Sequence, residues 1–235
     1  MPSTTLDRLR RRIAVLEGTG RDGSSPVLPL GLTGFEGLTT GALHEISPAA
    51  LADSHDGAAL GFAAALLGGL VRMARKPALW LAEGAPPHGP ALAAFGLAPA
   101  QLVVALPGRP AAMLWALEEA ARSRALAAVL GEVRGMDFTA ARRLHLAARD
   151  SGVTVLLLNR AAATITPALS RWRVSGMAGA DDRWRLELLR LRGRSPDERG
   201  VVAQWKVDWD GTARCLGVVA PAGDRPAVPD AARVA

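Results

Sequence analysis

The residues that could do chemistry begin where an apolar strand, Ala42-Leu43-His44-Glu45-Ile46, runs into Ser47-Pro48-Ala49-Ala50-Leu51-Ala52-Asp53-Ser54-His55-Asp56-Gly57. In an open parallel sheet, ligands bind beyond the carboxyl ends of the strands. A nucleotide-binding protein would place a glycine-rich loop there, with backbone amides on the phosphates. A lysine would reach the β and γ oxygens and a Ser or Thr would hold magnesium. This loop has none of those parts. No Gly-Lys-[Ser/Thr] triplet occurs anywhere, and the only lysines are Lys76, before Pro77, and Lys206, in a late strand. Asp53 and Asp56 would repel a triphosphate.

Other chemistries fare no better. His44, Glu45 and Ser47 invite a hydrolase reading, but neighbours on a strand point to opposite faces, which separates His44 from Glu45. No Gly-x-Ser-x-Gly elbow is present. Histidines 44, 55, 88 and 145 are too dispersed for a two-histidine metal motif, and the single Cys215 excludes a disulfide framework or a cysteine-rich metal site. No cofactor and no metal are expected.

The elements that must position these residues alternate. Strands are expected at 42–46, 78–82, 101–106, 125–133 and 153–158. Between them, helices are expected over about 56–75, a short stretch ending at Phe95, 110–124, and 137–150, the last capped by Asp137 and ended by Gly152. Apolar strands separated by helices imply a mostly parallel α/β sheet covered on both faces. After residue 170 the texture changes: 171–174, 183–191 and 201–209 alternate with no helices between them, so they should extend the sheet in antiparallel fashion. Six tryptophans occur without a tyrosine. Trp172, Trp184, Trp205 and Trp209 fall in these late strands, where core packing is the expectation and an exposed interface or base-stacking surface the alternative.

With 235 residues, 49% hydrophobic and 21% charged, the chain suits one domain with short extensions. Residues 1–25 read as an arginine-rich helix and linker, 26–219 as the core, and 220–235 as a disordered tail. The apolar run Ala58–Val71 is too short to span a bilayer, and Met1–Arg12 shows no signal peptide, so a cytoplasmic protein without membrane contact is expected. The net charge of +6 permits nucleic-acid contact without establishing it. Leu6, Leu9, Ile13 and Leu16 form a stripe at helical spacing, flanked by Arg8, Arg10, Arg11 and Arg12. It either packs on its own domain or docks a partner.

The order and spacing of several stretches resemble the RecA-like fold and, more closely, the ImuA family of bacterial mutagenesis proteins. They are Gly41–Ile46, Ala125–Val133 followed by Arg142-Arg143-Leu144, Ser151-Gly152-Val153 and Arg171-Trp172-Arg173-Val174, within a span of about Leu28 to Trp209. Members of that family accompany an ImuB-like, Y-family-related protein and a DnaE2-type polymerase in error-prone translesion synthesis during the SOS response. The resemblance implies a non-catalytic adaptor that binds the ImuB-like protein, RecA as a further partner and the polymerase indirectly. A divergent RecA-type ATPase or a single-stranded DNA-binding protein is the alternative. It also implies a vestigial nucleotide site: Glu83 where a glutamate would activate water, Glu132 at a Walker B strand end, and Asn159 at a nucleotide-sensing strand end. Without a lysine or phosphate cradle, both glutamates would be solvated loop carboxylates. Only Arg134-Gly135-Met136 and 160–167 stand where a recombinase carries its DNA-binding loops. Arg160, Arg171 and Arg173 could touch phosphates there, so DNA contact should be weak or indirect. In RecA-like proteins, neighbouring protomers meet at the segment before the core, which makes the Leu6/Leu9/Ile13/Leu16 stripe the implied partner-binding helix.

Overall fold

The computed structural model describes residues 25–50, 53–161, 166–178 and 180–219. The Leu6/Leu9/Ile13/Leu16 stripe and the tail from residue 220 lie outside them.

Two short strands, β1 (Val27–Leu28) and β2 (Leu38–Thr39), form an antiparallel ribbon. The alternating region follows: β3 (Leu43–Pro48), α1 (Asp53–Ala74), β4 (Ala78–Leu81), α2 (Gly89–Ala93), β5 (Leu102–Ala105), α3 (Pro110–Arg122), β6 (Ala128–Val133), α4 (Phe138–Ser151) and β7 (Thr154–Asn159). Then β8 (Ser170–Met177), β9 (Ala180–Leu191), β10 (Ala203–Asp210) and β11 (Cys215–Val218) succeed one another directly. Among the described residues the main sheet has nine strands, ordered β11-β10-β9-β8-β3-β7-β6-β4-β5. Pairing is parallel from β8 through β3 to β5 and antiparallel from β8 to β11. This is the mixed α/β architecture expected from the pattern, with the late strands added as an antiparallel extension. The ribbon and β11 were not anticipated; such short strands leave no periodic signal.

Helix α1 covers one face and α3 with α4 the other. Nearly every residue from Ala58 to Val71 is buried, as a helix apolar all round must be. The helical stretch His55–Ala74 is longer than the apolar run and does reach membrane-crossing length, but most of it is buried inside the protein. Its glycines let neighbours approach. A Cβ on Gly61 would meet the Trp184 ring, and one on Gly68 would land on the Phe95 carbonyl oxygen. The α1 layer also holds Trp80, Trp172, Trp184, Trp205 and Trp209, with Trp184 and Trp209 stacked at 6.3 Å. The late tryptophans are therefore core, as expected. Leu117, Leu144, Val155 and Leu157 fill the layer beneath α3 and α4. Asp137 accepts a hydrogen bond from the Ala140 amide at 2.9 Å to start α4, and Gly152, at φ 82°, ends it in the left-handed region.

Two glycines of α1 should respond oppositely to alanine. Gly57 has open space around its Cβ position, so Gly57→Ala should stabilise the protein by about 0.5–1 kcal/mol through helix propensity. Gly68→Ala drives a methyl group into backbone and should cost about 2 kcal/mol or more. Urea unfolding of the two variants checks both signs.

Candidate functional site

The carboxyl ends of β3, β7 and β6 lie side by side, and the crevice above them is spanned by one side chain. Arg160, the residue after β7, donates from Nε and Nη2 to the two carboxylate oxygens of Asp56, at 2.6 and 3.1 Å, in the first turns of α1. Its Nη1 donates to Glu132 Oε2, at the end of β6, at 2.8 Å. Glu132 is buried, 6% exposed, and its other oxygen accepts from the Trp80 indole at 2.7 Å. The expectation of a solvated Glu132 is therefore corrected. Its strand position places it beneath α1 among apolar side chains, and the guanidinium and indole compensate its charge. Glu83 is the more exposed of the two glutamates and pairs with Arg134 at 2.7 Å. Burial by itself lowers the Arg160 pKa. The hydrogen bonds and charges of Asp56 and Glu132 outweigh it and hold the guanidinium above its ordinary value.

Only residues 49–52 connect β3 to α1. An anion approaching the start of α1 would meet the Asp56 carboxylate, and one approaching β6 would have to displace Arg160 from two partners. The Arg160 guanidinium is thus engaged by Asp56 and Glu132 together. No group of three His, Cys, Asp or Glu side chains among the described residues is arranged to hold a metal ion.

Asn159 belongs to a different cluster. Paired residues share a face, so Glu132 lies with Leu158 on the α1 side, and Asn159 with Val133 on the α4 side. The Asn159 amide nitrogen donates to Glu45 Oε1 at 2.8 Å, while its oxygen accepts from the Gly135 and Ala161 amides, each at 3.0 Å. Glu45 is 3% exposed, and its Oε2 also accepts from the Thr166 hydroxyl at 2.6 Å and from Arg171 Nε at 3.1 Å. Glu83 and Glu132 are thus neighbours, since the Glu83 amide faces Glu132 Oε2 at 3.4 Å, whereas Asn159 ties together loops on the opposite face. Glu45 was not singled out as a site residue. A carboxylate between the apolar Leu43 and Ile46 of a strand inside the sheet was the available signal.

The three candidate DNA-contact arginines are dispersed and engaged: Arg160 in the crevice, Arg171 on Glu45, and Arg173 on Glu187 at 2.6 Å. His44 points away from Glu45, as strand alternation requires. Its Nε2 lies 2.8 Å from the Thr39 carbonyl, which can only accept, so Nε2 carries the proton and Nδ1 accepts from the Ser170 hydroxyl at 2.7 Å. Burial is the main reason its pKa falls to about 4.

Beside the crevice, at the ends of β4, β5 and β6, opens a cleft of about 370 Å³ lined by Glu83, Leu106, Arg109, Met113, Leu114 and Arg134, among others. Among the described residues, strand β5 is an open edge of the sheet. Val103 on β5 and Leu106 just after it are exposed large apolar side chains, as are Trp115 on α3, 68% exposed, and Phe138 at the start of α4.

Two measurements probe this geometry. Arg160→Met leaves Asp56 and Glu132 facing each other without a cation and should cost about 3 kcal/mol of stability. Adding Glu132→Gln should recover part of that loss, and a double-mutant cycle by urea unfolding reads the coupling. For His44, the folded pKa lies below the unfolded value of 6.5, so the unfolded state binds the proton more readily. Stability is fully present above pH 6.5 and falls towards pH 4, by about 3 kcal/mol over the whole window. His44→Gln should flatten unfolding free energy against pH between 6.5 and 5.

No protein-family model matches the chain. Over 198 aligned residues, covering 73% of this chain and 81% of the relative, it is 30% identical to Protein ImuA of Caulobacter vibrioides, in each of two strains. With that identity and coverage, the chain belongs to the ImuA family.

Proposed function

We propose that the chain is a non-catalytic adaptor of SOS-induced, error-prone translesion DNA synthesis. It binds an ImuB-like protein in the cytoplasm, with RecA as a further partner and the error-prone polymerase reached indirectly. The observation that carries the non-catalytic part is the Arg160 bridge. It places a guanidinium between Asp56 and Glu132, where a nucleotide-hydrolysing relative would need room for phosphate and magnesium. A protein that used ATP here would have to break two ion pairs, one of them to a buried carboxylate, before binding anything.

Support for the adaptor part comes from the open edge. Unpaired strand edges invite pairing by another chain. The exposed Val103 and Leu106 at β5, with the exposed Trp115 of α3 and Phe138 of α4, provide the apolar and aromatic side chains that dominate interface energetics. The Arg109 side chain lines the adjoining cleft and has no ion-pair or hydrogen-bond partner among the described residues. The N-terminal stripe of Leu6, Leu9, Ile13 and Leu16 is the second proposed contact.

The two parts separate experimentally. Trp115→Asp with Val103→Asp should abolish co-purification with the ImuB-like protein and damage-induced mutagenesis, with the melting temperature within a few degrees of wild type. Leu9→Asp with Ile13→Asp tests the stripe in the same way. Glu83→Gln should leave mutagenesis intact. Loss of mutagenesis in Glu83→Gln with the fold preserved would instead favour a divergent ATPase, and full partner binding by both double variants would move the interface elsewhere.

A further inference from the structure

Among the described residues, strands β8 to β10 are buried on one side only. Trp172, Val174, Trp184, Leu186, Trp205 and Val207 face α1, and no described helix stands over the other side, because α3 and α4 pack on β3, β4, β6 and β7. The register fixes which side chains meet on that bare face. Arg173 lies opposite Glu187, Arg183 opposite Asp208, and Arg185 opposite Lys206. The first two pairs neutralise themselves, with Arg173 donating to Glu187 at 2.6 Å and Arg183 to Asp208 at 2.7 Å. The carboxylates of Glu187 and Asp208, each two residues along from the Arg185–Lys206 pair, are thereby taken. Arg185 and Lys206 are exposed and make no ion pair or side-chain hydrogen bond with any described residue. Like charges directly opposite one another on adjacent strands destabilise a sheet, so the pair costs stability and contributes nothing to the fold.

We infer that this face is a phosphodiester-binding surface centred on Arg185 and Lys206, taking the backbone of a nucleic acid. Two observations select this ligand over a protein. The register brings charged side chains together on this face, while the bulky apolar groups Trp172, Val174, Trp184, Leu186, Trp205 and Val207 point the other way, into the α1 layer. Arg173, Arg183, Arg185 and Lys206 also stand on three adjacent strands, with strands about 4.8 Å apart and same-face residues about 6.8 Å apart along each strand. Such a surface suits a chain of repeating charges. The tryptophans are on the buried side, so no aromatic of these strands stacks a base and binding should be indifferent to sequence. The surface is separate from Arg160 and from the β5 edge. The inference therefore stands or falls independently of the adaptor reading.

The test is fluorescence anisotropy of a labelled single-stranded oligonucleotide of about 30 nucleotides, repeated with the duplex, titrated with the full chain over a range of salt concentrations. Arg185→Gln/Lys206→Gln should weaken binding about tenfold at low salt. It should also reduce the slope of log K against log salt by about 1.4 for single strands, the value for two lost phosphate contacts. Near-UV tryptophan circular dichroism should be unchanged and the melting temperature equal or slightly higher, since a repulsion has been removed. If that variant fails to fold, Lys206→Gln alone should reduce the slope by about 0.7. The pair Arg75→Gln/Arg199→Gln removes the same net charge elsewhere. An equal loss in this control would reduce the effect to diffuse attraction and overturn the site, as would a wild-type slope in the Arg185/Lys206 variant. Displacement of the oligonucleotide by polyglutamate at equal charge concentration would overturn the assignment to nucleic acid.

Discussion

Arg160 holds three elements with one guanidinium. Asp56 belongs to α1, Glu132 to β6, and Arg160 itself leaves β7, which lies between β6 and β3. A buried carboxylate tolerates loss of water only when a counter-charge and hydrogen bonds replace it. Glu132 receives both, from Arg160 and from Trp80. The same contacts close the crevice at the carboxyl ends of the strands, where an open α/β sheet ordinarily takes its ligand. In this way one ion-pair network both compensates a buried carboxylate and fills the end of the sheet.

The opposite face obeys the same constraint with different residues. Glu45 sits in the middle of β3 and answers to Asn159, Thr166 and Arg171. Through it the segment after β7 is fastened to β3 and β8, and Asn159 fixes the backbone at Gly135 and Ala161. A polar side chain at a strand end need not report a ligand; here it positions two loops. The sheet is therefore pinned on both faces by buried carboxylates, and its outward chemistry moves to the edge at β5 and to the bare side of the antiparallel extension.

Much of the fold was legible because its signals are local. Apolar runs bounded by Gly and Pro marked the parallel strands, Asp137 and Gly152 marked the ends of α4, and the alternation of Arg with Trp marked the face that β8 buries. What was not legible depends on distance along the chain. Nothing near Arg160 announces Asp56, 104 residues away, and nothing near Glu45 announces Asn159, 114 residues away. Hence Glu132 was expected to be solvated, and Glu83, Glu132 and Asn159 were grouped as one site although strand alternation sets Glu132 and Asn159 on opposite faces. The lone carboxylates at positions 45 and 132, each on a strand inside the sheet, were the available hint, since burying such a group requires partners from elsewhere. The edge at Val103 was hidden because which strand ends a sheet is a matter of topology, not of its own residues.

The internally neutralised crevice underlies the central proposal, that the fold neither needs nor accepts a nucleotide. Its most direct test is thermal unfolding of the purified full chain with increasing magnesium and ATP, because any ligand that binds the folded state alone must raise the melting temperature with its concentration. We expect a melting temperature that does not move up to millimolar ATP. A rise that saturates at micromolar ATP and disappears when ATP is replaced by an uncharged nucleoside would contradict the claim, and would mean that Arg160 yields its place to phosphate.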